Sequence, residues 1–311
     1  MSNSKKTPIV AVVGPTASGK TALAIEIAKH FGGEIIGADS MQIYKNMSIA
    51  SATPTTEEKG NIPHHLFEFL DPGESFSVAE YVTLAKEKAK EVISRGNLPI
   101  LVGGTGLYVD SFLGNLEFSA EENTDDVRKK LEKEAEDFGS AALLEKLREI
   151  DPVAASKLHE NDKKRIIRAL EVYSIHGITP TEMNLRSKAK PSPYKSIFIG
   201  TAYKDRELLY QRIEKRVYSM LEQGLLQEAQ SSCKVLGTTA VQAIGHKEFY
   251  PYFKGEISKD EAVEALIRST RRYAKRQLTW FRRNENINWI YMDEEQDPIR
   301  KAIEIITKEL K

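Results

Sequence analysis

The 311-residue chain carries 45 basic and 45 acidic side chains, so no global charge marks a nucleic-acid partner and any such contact must come from local patches. The 41% hydrophobic and 29% charged content is that of a soluble globular protein, and the length suits two domains or one large domain with an insertion. The lone cysteine, Cys233, excludes an intramolecular disulfide and a cysteine-based zinc site. No apolar run approaches the roughly 18 residues of a membrane span, and residues 1–6 hold no secretory h-region, so a cytoplasmic protein is expected.

Residues 9–13 (Ile-Val-Ala-Val-Val) are a short apolar, β-branched run, which predicts a strand buried on both faces of a parallel sheet. Gly14, Pro15, Thr16, Ala17, Ser18, Gly19, Lys20 and Thr21 follow and fit G-x-x-x-x-G-K-[ST]. Residues 22–29 are good helix formers with apolar positions at helical spacing. Strand, glycine-rich turn and helix make a cradle in which backbone N–H groups and a helix N-terminus face one anion. Lys20 adds a point charge, and the Thr21 hydroxyl is placed for a magnesium ion. Polyphosphate binding is the expectation, against a chance match in a turn.

Phe31, Gly32 and Gly33 stop that helix, and residues 34–38 read as a second strand ending at Asp39 and Ser40. In an open α/β sheet ligands bind at the carboxyl ends of the strands, so both residues fall on the rim of the phosphate loop. Asp39 is read as a general base or an outer-sphere magnesium ligand; the competing reading is an N-cap for the next segment. Residues 53–63 are rich in turn formers and predict a loop able to act as a lid. His64 and His65 open a third strand running through Leu70. Adjacent histidines point to opposite faces of a strand, which makes a poor chelate and favours a structural role. Residues 76–93 read as a helix with Val78, Tyr81, Val82, Ala85, Ala89 and Val92 on one face. Residues 99–102 are a fully apolar strand ending in Gly103, Gly104 and Thr105. The glycines are read as letting backbone approach a ligand, with Thr105 on the same rim.

No strand-like run occurs between Phe118 and Lys190. Charged helical periodicity over 121–147, a break at Asp151 and Pro152, and a helix capped by Asn161 and Asp162 predict an all-helical insertion. The insertion spans 118–190, within a core of residues 1–117 and 191–311. Its Lys163, Lys164, Arg165 and Arg168 read either as a phosphate contact or as a solvated helix face. Strand signals return at 196–200 and 288–292, with a helix over 203–222 bearing Arg206, Arg212 and Arg216. A helix over 261–283 carries Arg268, Arg271, Arg272, Lys275, Arg276, Arg282 and Arg283 without an acidic residue from Arg268 onward, and includes Trp280 and Phe281 near its end. Arginines beside aromatics suit single-stranded nucleic acid. The alternative puts the aromatics in the core and the arginines on the polyphosphate. The fold class is α/β: a P-loop NTPase-like core, its parallel sheet flanked by helices, plus an all-helical insertion domain.

A phosphate loop alone suggests a kinase or an NTPase. Yet no later apolar strand ends in the magnesium-binding Asp usual in such enzymes, leaving Asp39 as the rim carboxylate. The basic helix and the insertion are also large for a small-metabolite kinase. A bound diphosphate can instead be the leaving group of an alkyl transfer. The readings kept beside this one are a small-molecule kinase or free-AMP prenyltransferase, and a nucleotide-driven RNA-binding switch.

Residues 14–21, 39–44 (Asp-Ser-x-Gln-x-Tyr), 103–108 (Gly-Gly-Thr-Gly-Leu-Tyr), 161–165 (Asn-Asp-x-x-Arg), 243–248 (Ala-Ile-Gly-x-Lys-Glu) and 271–282 (Arg-Arg-Tyr-Ala-Lys-Arg-Gln-x-Thr-Trp-Phe-Arg) together resemble the bacterial-type tRNA dimethylallyltransferases, the IPP transferase family. They occur in the family's order. His246 departs from the pattern, where tyrosine is commoner. The resemblance implies transfer of a dimethylallyl group from dimethylallyl diphosphate to N6 of the adenosine at tRNA position 37, just 3′ of the anticodon, with Mg2+ as cofactor. It implies that Lys20, the loop N–H groups, the ion near Thr21 and Arg216 hold the departing diphosphate. Asp39 would accept the amine proton, and Thr105 would position the amine or the diphosphate. Contacts to tRNA are implied at Asp39, Ser40, Met41, Gln42 and Thr105 around the extruded base. Further contacts, to the anticodon stem-loop, are implied at Arg128, Asp162, Lys163, Lys164, Arg165, Ile166, Arg272 and Arg276. A monomer without membrane attachment is expected.

Overall fold

The computed structural model describes residues 6–116, 125–187, 191–233, 237 and 239–311. Internal contacts divide the chain into two compact units, residues 1–113 with 192–311 and residues 114–191. The boundaries expected at 117–118 and at 190 lie outside the described residues.

The larger unit is built on six parallel strands: β1 (Thr7–Val13), β2 (Gly33–Gly37), β3 (His64–His65), β4 (Leu98–Gly103), β5 (Tyr194–Ala202) and β6 (Ile287–Tyr291), in the order β3-β2-β4-β1-β5-β6. Its main helices are α1 (Lys20–Phe31), α2 (Val78–Ser94), α3 (Gly106–Leu113), α4 (Arg206–Glu222), α5 (Leu225–Ser232), α6 (Lys259–Phe281) and α7 (Pro298–Leu310). Residues Ile9 to Val13 are wholly shielded from solvent, as a doubly covered central strand requires. The period of two divides them. Ile9, Ala11 and Val13 pack with Tyr81, Val82 and Ala85 of α2 and Val109 and Phe112 of α3. Val10 and Val12 pack with Leu23, Ala24 and Ile27 of α1 and Ala302 and Ile306 of α7. Each large side chain so buried contributes about 1.5–3 kcal/mol.

β1 leads into a crossover on one side of the sheet and β4 into a crossover on the other, so ligands are expected at their carboxyl ends. Val13 is in register with Gly103 and with Gly200, which levels that rim. At the opposite end Glu34, 3% exposed, binds Arg95 through Nε (2.9 Å) and Nη2 (2.7 Å), Asn97 (2.7 Å) and His65 Nε2 (2.6 Å). The Arg95 guanidinium leads in holding the Glu34 carboxyl down at about 2, against the opposing effect of burial. His65 thus has the structural role expected of it, and His64 Nδ1 lies 2.8 Å from the Ile62 carbonyl oxygen.

Two local expectations are corrected. The third strand is the histidine pair alone, because Leu66 (φ +64°) and Glu68 (φ +48°) are left-handed and cannot continue a ladder; a single bridge joins Tyr44 to Leu70. The loop over 53–63 contains a helical turn, Thr56–Lys59, closed by a capping box between Thr55 and Glu58.

In the smaller unit, helices span Asp125–Ile150, Pro152–Ala155, Lys163–His176 and Pro180–Ser187, the first broken at Gly139 (φ 83°, ψ 158°). Leu131, Leu143, Leu147, Ile166, Ile167 and Leu170 form its core. Its described residues contain no strand.

Candidate active site

The phosphate loop is shaped by three left-handed or near-left-handed positions, Gly14 (φ 153°), Ala17 (φ 63°) and Gly19 (φ 85°). At Gly14 a Cβ would lie 2.4 Å from the Thr201 carbonyl oxygen, so only glycine lets the loop leave β1 beside β5. Ser18, fully buried, binds the Pro15 carbonyl (2.8 Å) and the Thr201 hydroxyl (2.6 Å). Arg212 Nε donates to the Ala17 carbonyl at 3.0 Å, with its guanidinium over the Tyr203 ring. No side chain caps the N-terminus of α1, which leaves its first N–H groups for an anion.

The loop opens into a cavity of about 360 Å³. Thr16, Lys20, Thr21, Asp39, Ser40, Met41 and Gln42 line one part of it and Arg216, Tyr273 and Arg276 another; Met47, Ile213, Val217, Met220, Ile244 and Leu266 supply apolar wall, and Gln242, Lys247 and Thr270 also line it. Burial pushes the Lys20 ammonium down to about 8, with the Asp39 charge opposing this and Arg216 adding to it. Burial likewise lowers Arg216, against the pull of Asp39. The Tyr273 phenol is pushed up by burial, then by the Asp39 charge, while hydrogen bonds from Thr105 and Gln277 oppose the rise.

Asp39 binds the backbone of the turn that follows it, and no helix begins there for it to cap. Its Oδ1 accepts the Met41 N–H at 3.0 Å, which shapes the turn after β2, and its carboxylate faces the cavity. Gln42 Nε2 donates to the carbonyls of Ser51 (3.2 Å) and Ala52 (3.1 Å), so it ties the rim to the next cavity segment. Thr105 is not among the lining residues. Its Oγ1 accepts the Ser40 N–H at 3.0 Å and bonds the Ser40 hydroxyl at 3.3 Å, so it stands behind the wall and positions Ser40. The two glycines before it also differ from expectation: a Cβ at Gly103 would meet the Ala38 carbonyl oxygen at 2.0 Å, and one at Gly104 would meet Gln277 Nε2 at 1.9 Å. They are glycines for protein packing.

Gln277 and Tyr273 are the site residues that strand-end reasoning missed, although both fall inside the 271–282 motif. Gln277, 4% exposed, accepts the Thr16 N–H through Oε1 (2.8 Å) and donates to the Gly104 carbonyl through Nε2 (3.0 Å), so one amide braces the phosphate loop against the rim.

The basic residues sort by environment. Arg276 lines the cavity and lies over the Tyr273 ring; Arg272 and Lys275 are exposed; Arg271 turns to Glu214 at 3.2 Å and stacks on Tyr210. Trp280 donates to Asp110 at 2.8 Å and Phe281 is buried, so these aromatics belong to the core reading. In the helical unit Lys164 and Arg165 are exposed and Lys163 half-buried. Asp162 does not cap its helix through the side chain; its Oδ2 accepts the His159 N–H at 3.0 Å. Arg128 and Arg168 both pair with the buried Glu171, at 3.0 and 2.8 Å. Ile166 is corrected from tRNA contact to core: its side chain has no exposed surface, because its place beside Ile167 and Leu170 is the apolar face of the helix.

The chain matches the family model described as IPP transferase over residues 42–284, and that described as isopentenyl transferase over residues 7–65. It is 48% identical over 290 residues to the tRNA dimethylallyltransferase of Caldanaerobacter subterraneus subsp. tengcongensis, covering 92% of each chain. To that of Acetivibrio thermocellus it is 51% identical over 289 residues, again covering 92% of each. The crystal structure of the full-length tRNA isopentenylpyrophosphate transferase from Bacillus halodurans superimposes with a TM-score of 0.73 at 42% identity, covering 98% of this chain and 97% of that one. A eukaryotic dimethylallyltransferase acting on tRNA superimposes with a TM-score of 0.79 at 28% identity, covering 98% and 79%. With the matched model spanning most of the chain, and with relatives near half identity along nearly its whole length, the protein belongs to the IPP transferase family.

Proposed function

We propose that the protein transfers a dimethylallyl group from dimethylallyl diphosphate to N6 of an adenosine in tRNA, the one just 3′ of the anticodon, releasing diphosphate. The observation that carries this is the composition of one cavity: an anion cradle, a facing carboxylate and an apolar wall. The N6 lone pair attacks C1 of the dimethylallyl group, the carbon that carries the diphosphate oxygen; that carbon–oxygen bond breaks, and its electron pair leaves with the diphosphate. Asp39 takes the N6 proton, as a carboxylate on the rim within reach of an entering amine. Lys20, the N–H groups at the start of α1 and Arg216 meet the negative charge that grows on the diphosphate.

Thr105 holds Ser40 so that Ser40, Met41 and Gln42 present a fixed edge to the extruded base; extrusion itself costs a few kcal/mol. Arg272 and Arg276, with Lys163, Lys164 and Arg165, are assigned to the phosphates of the anticodon stem-loop. Magnesium fits the donor set here, since the Thr21 hydroxyl and the Asp39 carboxylate share the cavity and this ion completes its shell with water and substrate phosphates. When bound it would add positive charge to the diphosphate oxygens. The reading is of a single chain acting on tRNA in the cytoplasm.

The test is labelled dimethylallyl diphosphate with total unmodified tRNA, with AMP alone, and with ATP in place of the donor, followed by nucleoside analysis. Formation of N6-dimethylallyladenosine in tRNA is expected. Transfer to free AMP without transfer to tRNA, or ATP turnover without tRNA, would overturn the reading.

A further inference from the structure

Part of the cavity wall comes from two segments far apart in sequence, residues 50–52 and residues 243–245. Neither belongs to a long element: the first ends the one-turn helix Ser48–Ser51, and the second follows the short turn Ala240–Gln242. One carboxylate holds both from behind. Glu228 on α5 accepts the Ile49 N–H at 2.8 Å and the Ala50 N–H at 2.9 Å, and its Oε1 lies 2.9 Å from His246 Nε2. That last bond requires Nε2 to carry a hydrogen. The His246 side chain is fully buried and that of Glu228 9% exposed, so water cannot replace these bonds.

The two segments also touch. Gly245 has φ +105°, and a Cβ there would lie 3.0 Å from the Ala50 Cβ. Glu248 fixes the same turn by accepting the Gly245 N–H at 2.9 Å. Gln42 bonds the carbonyls of Ser51 and Ala52, so residues 49–52 are held through N–H groups by Glu228 and through carbonyls by Gln42. The surface so fixed, Ala50, Ala52 and Ile244, is apolar and adjoins Val217 and Met220.

We propose that Glu228, acting through the Ile49 and Ala50 N–H groups and through His246, is the positioning residue that fixes the apolar wall of the donor pocket and so sets its discrimination against prenyl chains longer than dimethylallyl. This rests on the alkyl-transfer reading above. Glu228 touches no reacting atom. A pocket distinguishes hydrocarbon chains only as sharply as its wall is held in place. Glutamine at 228 keeps the volume but has one acceptor oxygen where three donors converge, so the wall loosens while the phosphate cradle is untouched.

The experiment is steady-state kinetics at saturating unmodified tRNA for the wild-type protein, Glu228→Gln, His246→Leu and His246→Gln. Dimethylallyl and geranyl diphosphate are the donors, and inorganic diphosphate is the inhibitor. Glu228→Gln and His246→Leu are expected to raise KM for dimethylallyl diphosphate about tenfold and to cut the preference over geranyl diphosphate by a similar factor. The inhibition constant of inorganic diphosphate, which reports the cradle alone, stays at its wild-type value. His246→Gln, whose amide nitrogen reaches the place of Nε2, restores the wild-type KM. The proposal is overturned if the inhibition constant rises in step with KM, or if KM and preference are unchanged in the variants. Should Glu228→Gln fail to fold, the contrast between the two His246 variants decides. Absence of turnover by the wild-type protein overturns the alkyl-transfer reading and the wall assignment with it; wild-type turnover with unaltered variants overturns the wall assignment alone.

Discussion

Asp39 is held at the end of β2 by the Met41 N–H and faces the same cavity as Lys20 and Arg216, two cations that it helps to keep charged. If it takes the amine proton, Asp39→Asn removes the acceptor while keeping the turn, since the amide oxygen can still accept from Met41. The expected result is a fall in kcat of about 10²–10⁴, with tRNA affinity unchanged in a filter-binding titration; equal losses in binding and rate would refute the proton role. Lys20 supplies a second prediction. With its ammonium lowered to about 8 by burial, the charge is present at neutral pH and is lost as pH rises through that value. Binding of inorganic diphosphate, followed by titration calorimetry, should weaken as the pH is raised above this value. In Asp39→Asn the break moves to lower pH, because the Asp39 charge is what opposes the drop. At this scale Lys20, Thr21 and Asp39 were legible, since a strand end fixes where the next residue stands. Thr105 shows the limit: it follows the right strand but bonds Ser40 from behind. Ile166 was legible as core from its spacing to Ile167 and Leu170, and its basic neighbours obscured that.

Among the elements α6 does most to unite the site, because its two faces have different work. Ala274, Gln277 and Phe281 point inward, whereas Arg272 and Lys275 face solvent and Arg276, exposed too, reaches the cavity. Gln277→Leu would strand the Thr16 N–H and the Gly104 carbonyl, at a cost of about 2–4 kcal/mol. The expected outcome is a lower midpoint in thermal unfolding together with weaker diphosphate binding; a variant of wild-type stability would show that the brace is dispensable. Strands β1, β2, β4, β5 and β6 and helices α1, α2, α4 and α6 were readable from apolar runs, helical periodicity and glycine stops, whereas α3 was not. Gln277 was not, because a buried polar side chain breaks the apolar period that marks an inward face, and its partners lie 261 and 173 residues away in sequence. The end of β3 was not readable either, since left-handed Leu66 and Glu68 carry residue types with no preference for that conformation.

For the molecule as a whole, the absence of net charge moves the RNA question onto particular faces. Arg272, exposed on α6, is one such test: Arg272→Ala should weaken tRNA binding for all tRNAs alike and lower the slope of log affinity against log salt by about one. An unchanged slope would place its charge elsewhere. The parallel sheet and its phosphate loop were legible as a cradle, but the sequence pattern alone left open whether a kinase or an alkyl transferase used it. What favours the second is the cavity's apolar wall and its facing carboxylate, which only the fold assembles from residues 39, 217, 220 and 244. The central claim is that the phosphate loop holds a leaving group. It is tested most directly by measuring diphosphate released from dimethylallyl diphosphate against modified adenosine formed in tRNA. One diphosphate per modified adenosine and no release without tRNA are expected; release without tRNA, or inorganic phosphate produced from ATP in its place, would rule out a leaving group in the phosphate loop.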